Sequence, residues 1–95
     1  MNIVWSPEAI EDLISLRAYV GAEDSEAARR LAMRIVGAIE TLVSQNPEIG
    51  RRGRVRGTRE LVVARTSYIA PYRIKDDAIE VLRIPHGSRR WPERF

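Results

Sequence analysis

The sequence predicts an α+β fold of order β-α-α-β-β-β, in which a helical hairpin packs on one face of a mainly antiparallel sheet. Three observations carry this expectation. Residues 9–20 and 28–42 repeat apolar side chains at helical spacing, with only a few residues between the two segments. Residues 60–85 alternate at strand spacing, and a short β-favouring segment precedes both helices. A length of 95 residues with 44% hydrophobic side chains fits one small domain over residues 1–95 and is too apolar for disorder.

Residues 1–5 read as the first strand, because Ile3, Val4 and Trp5 suit a pleated surface. Ser6-Pro7-Glu8 opens the first helix. Ser6 can cap free amides, Pro7 has no donor to lose there, and Glu8, Glu11 and Asp12 complement the positive end of the helix dipole. Ala9, Leu13, Leu16 and Val20 fall in one arc, flanked by Ile10 and Tyr19, and the helix ends near Gly21. Asp24 or Ser25 caps the second helix, whose stripe is Ala28, Leu31, Ala32, Ile35, Ile39 and Leu42, with Gly37 opposite. Pro47 stops it by restricting Asn46.

Residues 47–58 read as a basic loop, with Gly50, Gly53 and Gly57 between arginines and a short strand around Val55. Strands follow at 60–64, 67–74 and 79–85, the last two joined by the turn Lys75-Asp76-Asp77. Tyr68, Ala70, Tyr72 and Ile74 share one face, which places Tyr68 and Tyr72 in the core. Pro71 removes a ladder donor, so local distortion is expected there. Periodicity leaves open which later strand lies beside the first. Residues 86–95 form a basic tail whose Trp91 and Phe95 either fold back or anchor a partner.

Charge is uneven along the chain. Residues 1–48 hold four arginines against eight acids, a balance of −4; residues 49–95 hold eleven arginines and Lys75 against five, a balance of +7. Such a basic half points to an anionic partner. Cysteine is absent and there is one histidine, which excludes disulfides, thiolate metal sites and a cysteine nucleophile; no cofactor or metal is expected. No apolar run approaches the ~20 residues of a membrane span, and no signal pattern opens the chain, so a cytoplasmic location is expected.

Few residues suit chemistry. His86 is the acid–base candidate, since an unperturbed pKa of ~6.5 lets imidazole exchange protons near neutrality. It reads equally as a turn residue bonded locally. Arg65, Arg83, Arg89 and Arg90 could clamp a phosphate or pair with an acidic partner. There is no G-x-x-x-x-G-K-[ST] cradle and no G-x-G-x-x-G after a strand, and the adjacent acids Glu11/Asp12 and Asp76/Asp77 make no two-carboxylate site.

Five segments then occur in the order of a known family: V-W-S-P-E-A-I-E-D-L (4–13), N-P-E-I-G-R (46–51), G-T-R-E-L-V-V (57–63), Y-I-A-P-Y-R-I (68–74) and V-L-R-I-P-H-G-S-R-R-W-P (81–92). Over nearly its whole length the chain resembles ParE-like toxins of the RelE/ParE toxin–antitoxin superfamily. The resemblance implies a small toxin neutralised in a hetero-oligomer by a cognate antitoxin, whose acidic carboxy-terminal segment wraps it. Leu13, Leu16 and Tyr19 beside the first helix, with Arg73 and Arg83 on the basic sheet face, are the expected antitoxin contacts. RelE-like members cut mRNA on the ribosome without metal. Their arginine after the strand-motif aromatic is Ile69 here, the lysine-rich loop is missing, and Gly87 stands where a terminal tyrosine is found. The resemblance therefore implies the ParE branch, which poisons DNA gyrase; Arg65, Arg83, Arg89, Arg90 and Trp91 are the expected contacts to gyrase or the gyrase–DNA complex. The alternative is a ribosome-dependent endoribonuclease in which His86 is acid or base and Arg65, Arg83 and Arg89 stabilise the phosphate. A third reading is a relative that only binds its antitoxin.

Overall fold

The computed structural model describes residues 1–88 and 90–95. Strand β1 (Asn2–Trp5) leads into α1 (Pro7–Gly21) and α2 (Ser25–Ala38), which continues into a π-helical turn at Ile39–Val43. Strands β2 (Arg51–Arg52), β3 (Arg59–Val62), β4 (Ile69–Lys75) and β5 (Ala78–Val81) follow. They form one mixed sheet of order β1-β5-β4-β3-β2. The strand whose neighbour periodicity left open, β1, runs parallel to β5, with Ile3 opposite Ile79 and Trp5 opposite Val81. The other pairings are antiparallel.

The helical hairpin covers one face of this sheet. Ala9 and Leu16 from α1, with Ile35, Ile39 and Val43 from α2 and its π turn, meet Leu61, Ala70, Tyr72, Ile79 and Val81 in a single apolar cluster. Both caps form as the local sequence requires: the Ser6 side chain accepts from Ala9 N, and that of Asp24 from Glu26 N and Ala27 N.

Pro71 sits in the central strand β4, opposite Glu60 of β3. On its other side Leu82 N donates to Pro71 O at 2.9 Å. Proline has no N–H to return, so the Leu82 carbonyl would be orphaned. Ser6 supplies the missing donor: its Oγ donates to Leu82 O at 2.9 Å while accepting from Ala9 N at 3.0 Å. The expected distortion is a one-residue slip, because Tyr72 lies opposite Val81 whereas Tyr68 bridges His86.

Two expectations are corrected. The short edge strand forms at Arg51–Arg52 and not around Val55. Both the amide and the hydroxyl of Thr58 donate to Val55 O, at 3.2 and 2.6 Å, which curls residues 55–58 into a turn. Leu42 is 44% exposed, and Val43 takes its place in the core at 0%. A π turn holds more residues per revolution than an α turn, which rotates the buried face by about one position.

Tyr72 ties the end of the hairpin to the sheet. Its hydroxyl donates to Pro47 O at 2.6 Å and accepts from Gly50 N at 2.9 Å. Gly50 is required at this contact, since a Cβ there would lie 2.7 Å from the tyrosine ring and hydroxyl.

Ser6→Ala should lower stability by about 1–3 kcal/mol, because one change removes a cap and orphans a buried carbonyl. Asp24→Ala, at an exposed cap, should cost less; urea denaturation compares the two. Burial pushes the Tyr72 phenol above its ordinary value. The folded chain therefore holds this proton longer than the unfolded chain. The contribution is constant below the unfolded-state pKa of about 10 and is lost as pH rises beyond it. Tyr72→Phe should remove that share of the alkaline loss while lowering the urea midpoint at neutral pH.

Candidate functional site

From Asp12 to Tyr19, α1 faces the chain that follows β5 across a cleft of about 640 Å³. Asp12, Ser15, Leu16 and Tyr19 line one wall, at spacings that bring them onto one side of a helix. Tyr68, Ile84, His86 and Ser88 line the other. His86 is set by its bridge to Tyr68, whose ring meets the imidazole edge-on at 5.5 Å and 76°. Its Nδ1 accepts from Ser88 N at 3.2 Å and lies 2.7 Å from Ser88 Oγ. An amide can only donate, so the neutral ring carries its proton on Nε2.

Asp12 organises this end of the molecule. Its carboxylate accepts from Arg83 Nε at 2.8 Å, Arg83 Nη2 at 3.1 Å and Ile84 N at 2.8 Å. Hydrogen bonding to Asp12 pushes the Arg83 guanidinium further above its ordinary value. The site-forming role of Asp12 escaped the sequence reading, in which it served only the helix dipole. Its signal was the spacing to Leu16 and Tyr19.

The remaining candidates do not converge on His86. Arg65, at φ 62° in the turn after β3, lines a different groove of about 690 Å³ with Arg29, Arg30 and Arg34 around Met33, Leu42 and Val62. Arg73 pairs with Glu80 at 2.6 Å on the sheet face away from the helices. Arg90 is exposed, and Arg89 lies outside the described residues. Trp91 folds back: Arg54 sits 3.8 Å above its ring, and Phe95 meets it edge-on at 6.4 Å. Of the expected antitoxin contacts, Leu16 and Tyr19 line the His86 cleft, and Arg83 is bound to Asp12 in its wall. Leu13 packs partly buried against the core.

A second basic centre lies on the β2–β3 edge. Glu60, with 1% of its side chain exposed, pairs with Arg51 at 3.0 Å and Arg54 at 3.4 Å. Its sequence signal was isolation, as it is the sole acid in residues 49–75.

The model of the family described as "ParE toxin of type II toxin-antitoxin system, parDE" matches residues 3–91. The chain belongs to the ParE toxin family. A relative named "Putative toxin Y4kP" from Sinorhizobium fredii is 41% identical over 97% of this chain and 94% of its own. "Toxin RelE2" of Caulobacter vibrioides is 36% identical over 93% and 97%. Among solved structures, a chain of the chromosomal ParDE system of P. aeruginosa superposes with a TM-score of 0.75 at 30% identity, covering 90% of this chain and 95% of that one. A chain of the RelBE2 toxin–antitoxin complex from Mycobacterium tuberculosis gives 0.66 at 23% identity, with the same coverage, and shares the fold. This ParE-family chain is thus a toxin of the type II toxin–antitoxin class, in the ParE/RelE superfamily. Among the described residues no helix is long and apolar enough to cross a membrane.

Asp12→Ala should cost about 1–3 kcal/mol, because Arg83 and the Ile84 amide lose their acceptor together. Arg83→Gln, which leaves Asp12 the Ile84 amide, should cost less. Thermal melts of both variants check the order.

Proposed function

We propose that this chain, acting as one toxin domain in the cytoplasm, poisons DNA gyrase by binding and is silenced by an antitoxin whose acidic carboxy-terminal segment lies in the cleft beside Leu16 and Tyr19. One observation above all supports adhesion over catalysis. Scission of RNA by its own 2′-hydroxyl needs cations around the phosphorane as well as a proton acceptor. Among the described residues no arginine lines the His86 cleft; Arg83 is committed to Asp12, and Arg65 faces the α2 groove. The lining of hydroxyls, imidazole, leucine and isoleucine, with the Asp12 carboxylate tied to Arg83, suits a peptide better than a phosphate.

A second reading is favoured by His86 itself. A ring held by Ser88 and Tyr68 in an open cleft is a proton-transfer group that a RelE-type endoribonuclease could use.

The test sets the two targets side by side. Purified toxin should inhibit gyrase supercoiling and trap cleaved DNA, and His86→Ala should do so equally. Unaffected gyrase together with ribosome-dependent mRNA cuts that vanish in His86→Ala would replace this reading with the enzymatic one. Harmless overproduction without antitoxin would leave only the antitoxin-binding role.

A further inference from the structure

We infer that the concave surface of the β2–β3 loop is a binding site for the phosphodiester backbone of duplex DNA. Arg52, Arg54, Arg56 and Arg59 surround a hollow of about 540 Å³ there. The inference deepens the gyrase–DNA reading and takes its biological setting from it, although DNA binding is measured without gyrase.

The loop is built, not merely solvated. Gly53 N donates to Thr58 O at 2.8 Å, and Thr58 closes the turn on Val55 O. From beneath, the buried Glu60 carboxylate accepts from Arg54 N at 2.7 Å and from the Arg51 guanidinium at 3.0 Å. Arg59 in turn donates to Gly50 O at 2.9 Å. One buried anion thus fixes the frame while other cations stay available. Among the described residues neither Arg52 nor Arg56 is paired with a carboxylate, and both are exposed. With the backbone of the turn already fixed, only the arginine side chains have to be ordered when they meet a phosphate.

The lining selects the ligand class. The wall consists of arginine, glycine and threonine, with no apolar side chain. An acidic amphipathic peptide needs an apolar floor, such as Met33, Leu42 and Val62 provide in the α2 groove. No aromatic ring lines the hollow, and the nearby Trp91 face is covered by Arg54. Single-stranded nucleic acid takes much of its affinity from stacking on such rings. A duplex backbone needs neither feature. It needs cations and close approach of the main chain, and at Gly57, with φ +79°, the space around the absent side chain is open.

The experiment is fluorescence anisotropy of the full chain with a labelled mixed-sequence duplex of about 20 base pairs over a salt series. Arg52→Gln/Arg56→Gln should weaken binding on the order of tenfold at the lowest salt and flatten the log–log salt slope by about 1.8, two contacts at ~0.9 each. Arg29→Gln/Arg34→Gln removes the same charge from α2 and should change affinity less than about twofold. Equal losses in the two variants, an unchanged slope in the loop variant, or tighter binding to an oligouridine than to the duplex would each overturn the site. Circular dichroism confirms that both variants are folded. Loop-dependent duplex binding with gyrase untouched overturns the gyrase reading alone. Poisoned gyrase without loop-dependent duplex binding overturns the site alone.

Discussion

A proline in the middle strand of a sheet leaves its neighbour one hydrogen bond short, and the way this chain makes up that bond sets the rest of its geometry. The Leu82 carbonyl opposite Pro71 takes its proton from Ser6, the residue that also caps α1. The helix is therefore pinned by its first turn to the sheet at one register. Six residues on, about 9 Å along the axis, Asp12 reaches Arg83 and the Ile84 amide. Ser6 and Asp12, one at each end of this span, hold α1 against the extended chain after β5, and the His86 cleft opens along α1 from Asp12 to Tyr19. Substituting the hydroxyl loosens both the helix and the sheet edge, since the same oxygen serves each.

Charge is arranged by the same economy. The basic half of the chain does not present all its arginines outward. Asp12 takes Arg83, Glu80 takes Arg73, and Glu60 takes Arg51 and Arg54. Each of these pairs retains partial exposure, so its worth lies more in orientation than in net stabilisation. What the pairing decides is where positive potential survives. Among the described residues, arginines without a carboxylate partner remain on the β2–β3 loop and around the α2 groove, whereas Arg83 beside the cleft is held by Asp12. Among the described residues, a cleft lined by no arginine or lysine and a loop hollow lined by no apolar side chain divide the molecule into two faces suited to different partners.

Much of the fold was legible because the relevant contacts are local. Ser6-Pro7-Glu8 carries its cap within three residues, Asp24 does likewise, and the parity of Tyr68, Ala70 and Tyr72 follows from the pleat. Pro71 announced a fault in the ladder, but not the residue that would repair it. The illegible features all depend on distant or cumulative effects. The pairing of β1 with β5 joins segments with no common pattern, and the π turn that exchanges Leu42 for Val43 leaves no trace in apolar spacing. For the site, Leu16, Tyr19 and His86 were identified by type and fall together. Arg65 and Arg83 were grouped by charge alone, whereas Arg65 lines the α2 groove and Arg83 is held by Asp12, a carboxylate that was not part of that grouping.

The parallel partnership of β1 and β5 has a bearing on the order in which the molecule is made. The hairpin can form as soon as it leaves the ribosome, since its contacts are close in sequence. The opening strand must wait for residues 78–81, and the Ser6 hydroxyl must wait for Leu82, 76 residues further along. Contacts of such high sequence separation close more slowly than those of the hairpin, which places the β1–β5 pairing among the late steps to expect. A nascent copy keeps β1 unpaired until residues 78–81 have been made, so the sheet gains its parallel pair later than the hairpin gains its contacts.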